Sequence, residues 1–186
     1  MNVAANDLLP RAIAHLVEAL ARFSAPGPGV TRFAYDEPWC EAQAWLATQA
    51  RASGLAATHD AAGNLYLHDP ALATPAGAKT AADGPARSVA PVFLTGSHLD
   101  TVKEGGALDG AYGALAGLML AGALRGATRV PVVGLVTCEE EGSRFANGFL
   151  GARAIVGRLA AGECDASRDA AGVSWRQALA AAVARG

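Results

Sequence analysis

Two short apolar runs that each break off into a cluster of ionisable residues constrain this chain more than any other feature. Residues 91–97 (Pro-Val-Phe-Leu-Thr-Gly-Ser) and 130–137 have the length and content of buried strands, and a helical stretch rich in small residues, 110–124, separates them. Strand, helix, strand in that order predicts an α/β fold: a layered α/β/α domain with a mostly parallel central sheet. In such sheets ligand sites form just beyond the carboxyl ends of strands. The clusters lie there. One is Gly96-Ser-His98-Leu-Asp100-Thr, continuing to Gly105-Gly-Ala-Leu-Asp109-Gly; the other is Cys138-Glu139-Glu140-Glu141-Gly142.

Upstream, residues 6–23 place Leu8, Leu9, Ile13, Leu16 and Leu20 at helical spacing, with Pro10 in the first turn. A second helix opens at Pro38, carries Trp39, Ala42, Trp45 and Leu46 on one side, and stops at Gly54. The stretch 55–69 reads as two short strands joined by a glycine turn. Residues 71–90 are Ala, Pro, Gly, Thr and Ser with almost nothing large to bury, which predicts a disordered surface loop. The final helix, from residue 173, has Trp175 and Leu179 in need of a partner surface.

At 186 residues and 52% hydrophobic the chain can bury one domain's core. A net charge of -2 offers no basic footprint for nucleic acid or an anionic membrane, so a small molecule is the expected partner. The three cysteines sit outside any C-x-x-C spacing, no export signal is evident and no apolar run reaches about 18 residues, which together predict a cytoplasmic protein.

A neutral histidine is the commonest metal ligand, and Asp100, two residues beyond His98, would share its face of a continuing strand and fix its tautomer. The plainer reading of that pair is a strand-end histidine bonded to a nearby aspartate. Asp109 serves equally as an N-cap for the helix or as a carboxylate bridging two cations. Three adjacent glutamates repel unless solvated or neutralised. Glu139 reads as part of a solvated first helical turn, whereas Glu140 and Glu141 divide hydrolytic work, one holding metal and the other moving a proton from water to the leaving nitrogen. His-Glu-x-x-His, a phosphate loop and a Gly-x-Ser-x-Gly elbow are all missing from the sequence. Cys138 as a thiol nucleophile is disfavoured by its apolar strand end and anionic neighbours, leaving it a small buried hydrophobe.

These three segments, Thr95-Gly-Ser-His-Leu-Asp-Thr-Val, Gly105-Gly-Ala-Leu-Asp-Gly-Ala-Tyr-Gly and Glu139-Glu-Glu-Gly-Ser-Arg-Phe, resemble the allantoate amidohydrolase and N-carbamoyl-L-amino-acid hydrolase group of the zinc-dependent aminoacylase and carboxypeptidase superfamily. The resemblance extends to Val30-Thr-Arg-Phe-Ala-Tyr, Asp60-Ala-Ala-Gly-Asn-Leu-Tyr and Cys164-Asp-Ala through Gly172-Val-Ser-Trp. It implies two divalent ions, zinc or else manganese. His98 and Glu141 would be ligands, Asp109 the bridging carboxylate, Glu140 the general base and Asp100 the residue orienting His98. Implied too is hydrolysis of a ureido or N-carbamoyl group, in a family that forms homodimers through an inserted domain. A peptidase or N-acyl-amino-acid deacylase of the same superfamily is the rival activity, although Gly142-Ser-Arg-Phe favours the carbamoyl side.

Family members carry two further ligand histidines beyond the glutamates. Here the histidines are His15, His59, His68 and His98, and none follows Glu141. The spacing from Asp109 to Glu139 is also a few residues short. The expectation is the N-terminal portion of the catalytic domain: a fragment, a truncated product or half of a split enzyme completed by a C-terminal partner chain. A non-catalytic remnant acting as an interaction partner is the reading from a different class.

Overall fold

In the computed structural model the described residues are 3–72 and 91–185, with side chains described from residue 12 onward. The loop expected at 71–90 lies outside them from residue 73. Ten elements follow in order: α1 (Val3–Ala21), α2 (Glu37–Ala52), β1 (Ala56–His59), β2 (Leu65–His68), β3 (Phe93–His98), α3 (Ala111–Ala123), β4 (Val132–Thr137), α4 (Leu150–Ile155), α5 (Glu163–Ala166) and α6 (Trp175–Val183). α1 starts three residues before the pattern suggested, so Pro10 falls inside the helix rather than in its first turn. α2 is started by Asp36, whose carboxylate accepts the Trp39 and Phe33 amides, and it buries Trp39, Ala42, Gln43, Leu46, Ala47 and Ala50.

The fold is α/β, an open four-stranded sheet in the order β1-β2-β4-β3 with helices on both sides. The sheet is mixed, not mostly parallel. β3 and β4 run parallel across the α3 crossover, whereas β1/β2 and β2/β4 are antiparallel. Asp60 closes the β1–β2 hairpin, its carboxylate taking the amides of Ala62 and Asn64 and the Tyr66 hydroxyl.

β3 also departs from expectation. Phe93 is 60% and Leu94 39% exposed, because β3 is an edge strand with β4 as its one neighbour among the described residues. α3 lies close over β3 and β4 on Ala111, Ala114, Leu115, Gly117 and Leu118. Burying a side chain such as Leu115 or Leu118 contributes about 1.5–3 kcal/mol, so this face is what orders the crossover.

Helix α6 finds its partner surface within the chain. Ser174 and Gln177 form a capping box, and Trp175 is buried with its indole N–H donating to the Tyr35 hydroxyl at 2.6 Å. No helix among the described residues is long and apolar enough to cross a membrane.

Candidate metal centre

His98 is the last residue of β3 and is buried at its carboxyl end. The strand stops there, so Asp100 does not follow the alternation that would have placed its carboxylate on the ring. The Asp100 main-chain carbonyl lies 2.8 Å from His98 Nδ1 instead, while the carboxylate is 3.9 Å away. A carbonyl only accepts, so Nδ1 is the donor in this bond and Nε2 is the nitrogen turned toward the carboxylates. Glu140 Oε2 is 3.5 Å and Asp109 Oδ1 3.9 Å from that Nε2.

Asp100 serves a different end. Its buried carboxylate accepts the Glu141 N–H at 3.1 Å, tying the exit of β3 to the exit of β4. Burial raises its pKa, opposed by that amide and by His98.

Asp109 does not cap α3. Gly110 occupies the N-cap position and no side-chain cap bond is made, so the 62%-exposed Asp109 carboxylate is left beside His98. Gly110 has φ +63, and a Cβ there would stand 2.6 Å from both Cε1 and Nδ1 of His98. This glycine holds the space the imidazole occupies.

The ligating atoms of His98, Glu140 and Glu141 all fall within 4.8 Å of one another. Glu140 thus stands in the tight group where Asp109 was expected, and Asp109 adjoins it through His98. Partial burial raises the Glu141 pKa, with Asp109, Glu140 and Asp100 adding to the rise and His98 opposing it. Carboxylates held this close favour a cation among them.

Glu139 corrects the sequence reading. It lies in no helix and is fully buried, its Oε1 accepting the amides of Arg144 and Phe145 at 3.0 and 2.8 Å. Burial pushes its pKa up to about 7 despite those bonds.

Three supporting residues had no role in the sequence reading. Arg32 is buried, with no carboxylate paired to it among the described residues; its Nε donates to the Leu99 carbonyl and its Nη1 to those of Leu20 and Phe23, fixing the turn between His98 and Asp100. Burial lowers its guanidinium to about 10. A lone cation in Val30-Thr-Arg-Phe-Ala-Tyr was the available signal. Asn64, also buried, accepts the Cys138 amide and donates to the Gly151 carbonyl, joining β2, β4 and α4. The third, Tyr35, has its hydroxyl 2.7 Å from the Ala62 carbonyl and 2.9 Å from Cys138 Sγ.

Cys138 is fully buried at that hydroxyl, and burial pushes its thiol far above the ordinary range, opposite to what a nucleophile needs. Cys138→Ala is expected to lower unfolding free energy by about 1–3 kcal/mol in a denaturant titration while leaving metal binding intact. Loss of metal binding from a folded variant would return the thiol to consideration.

No family model matches the chain. It is 36% identical over 172 residues to the N-carbamoyl-L-amino-acid amidohydrolase of Paenarthrobacter aurescens, covering 89% of this chain and 37% of the relative. The allantoate amidohydrolase of Bacillus subtilis is 33% identical over 171 residues, covering 90% and 38%. A solved hydantoinase/carbamoylase family amidase from Burkholderia ambifaria superposes with a TM-score of 0.77 at 33% identity over 95% of this chain and 41% of its own. A second, from Burkholderia phymatum, gives 0.74 at 32% identity over 94% and 39%. The chain spans about two-fifths of the length of these relatives. Across about nine-tenths of its residues the chain is similar in sequence to allantoate and N-carbamoyl-L-amino-acid amidohydrolases, and in fold to hydantoinase/carbamoylase family amidases.

Proposed function

We propose that this chain supplies part of the centre of a metal-dependent amidohydrolase that cleaves a linear amide or ureido bond, as in allantoate or an N-carbamoyl-L-amino acid, releasing ammonia and carbon dioxide. The observation that carries this is the convergence of His98, Glu140 and Glu141 within 4.8 Å at the carboxyl ends of two parallel strands. An imidazole whose Nε2 is turned toward carboxylates suits zinc first and manganese second.

His98, Asp109 and Glu141 are the residues to hold two divalent ions, which when bound would polarise the scissile carbonyl. Glu140, beside them, takes a proton from the attacking water and passes it to the leaving nitrogen. Asp100 sets the approach of the two strand exits and orients His98 through its main chain. The relatives' names favour this over a peptidase or deacylase activity.

One histidine and a few carboxylates fall short of two three-ligand sites. The 186-residue polypeptide is therefore read as the first portion of a cytoplasmic catalytic domain whose remainder and dimerisation domain lie in further sequence or a partner chain. Purified alone and dialysed against zinc or manganese, it should retain less than one ion per chain and release no ammonia from allantoate or N-carbamoyl-L-amino acids. His98→Ala should abolish the residual zinc. Two tightly held ions with turnover on the order of 1 per second would overturn the fragment reading, and zinc uptake indifferent to His98→Ala would overturn the site.

A further inference from the structure

The segment from Glu139 to Phe149 runs against backbone preference. Glu139, Ala146 and Phe149 have φ of +48, +58 and +61, a region that non-glycine residues occupy only when their surroundings hold them there. At the start of the segment the hold is Glu139 itself. Its Oε1 receives the amides of residues five and six positions on, and its main-chain carbonyl receives the Leu150 amide at 3.1 Å.

Inside the closed loop lie Glu140 and Glu141. The Glu140 carbonyl takes the Phe149 amide at 3.0 Å, and the Glu141 amide is bound by Asp100 at 3.1 Å. The dipeptide is thus held by a buried carboxylate on either side, Asp100 beyond the end of β3 and Glu139 beyond the end of β4. Solvation cannot explain a fully buried Glu139, and the bonds it makes are all to the main chain of the loop that bears the two functional glutamates.

We infer that Glu139 is a positioning residue, fixing the spacing of the Glu140 and Glu141 carboxylates without touching substrate. This rests on the functional reading of that pair. The acceptor position of Oε1 does the work, so Glu139→Gln, which keeps an acceptor there, should preserve the site, and Glu139→Asp, which withdraws it by one methylene while keeping the charge, should not.

The test uses the 186-residue chain and both variants, titrated with Co²⁺ and followed by visible absorption, with amide hydrogen exchange measured at Glu141, Arg144 and Phe145. Glu139→Gln should match the parent in affinity and band shape. Glu139→Asp should bind about 10–100-fold more weakly, the usual scale for groups that orient ligands, with altered bands and faster exchange at all three amides. A folded Asp variant with parental Co²⁺ bands and parental Glu141 exchange would overturn the inference, as would a folded Gln variant that loses both. If the parent binds no Co²⁺, the metal reading fails by itself, and exchange at Glu141 alone decides for or against Glu139.

Discussion

In a full-length enzyme carrying these residues, Glu140→Gln should keep its metal and lose about 10²- to 10⁴-fold in turnover, the range of general acid–base catalysis, whereas Glu141→Ala should lose metal and turnover together. The two side chains leave the same loop, yet their surroundings differ. Glu141 is anchored through its amide to Asp100, and its carboxyl lies in the field of Asp109, Glu140 and Asp100, where a cation relieves the repulsion. Glu140 Oε2 lies 3.5 Å from Nε2 of His98, placed to act on a molecule held beside the pair. Amidation removes the proton-carrying capacity while conserving shape. Elemental analysis beside steady-state kinetics separates the roles. Metal lost from Glu140→Gln and kept by Glu141→Ala would reverse them, with Glu140, whose Oε2 is 3.5 Å from His98 Nε2, as the ligand.

Gly110→Ala should be nearly as damaging, although residue 110 has no side chain with which to hold a metal. A methyl group at φ +63 is strained by roughly 1–3 kcal/mol. In this place it also meets the imidazole at 2.6 Å, well inside van der Waals contact. The ring must rotate or shift, breaking the Nδ1–H bond to the Asp100 carbonyl that aims Nε2 at the carboxylates. Zinc affinity should fall about 10- to 100-fold, read in competition with a chromophoric chelator, with the far-ultraviolet circular dichroism unchanged. Parental affinity in Gly110→Ala would show that the imidazole has slack the structure does not display.

The proposed donor residues stand out in the sequence because chemistry and position coincide. His98, Asp109, Glu140 and Glu141 are ionisable residues set where apolar runs end, and that contrast survives in one dimension. Strand direction does not. Residues 65–68 and 132–137 show the same apolar character whichever way they run, so the antiparallel β2–β4 pairing that makes the sheet mixed left no mark on the pattern. Exposure of β3 was hidden for a related reason, since an apolar run records what a strand would bury and not how many neighbours it has. The three glutamates were the hardest case. A single positive φ at Glu139 turns one side chain inward and two outward, and adjacent identical letters carry no trace of it.

The buried supports of the centre have a consequence for the order in which the protein assembles. Arg32 reaches Leu99 across 67 positions, Asn64 reaches Cys138 across 74, and Trp175 reaches Tyr35 across 140. Closing loops of that length is entropically costly before any contact compensates for it, and chains rich in such contacts fold slowly. The helices, whose bonds are local, can form early, but His98 and the glutamates converge only once β3 and β4 have paired across the α3 crossover. In a nascent or partly folded chain these side chains are scattered, so the proposed capture of an ion would have to follow that pairing.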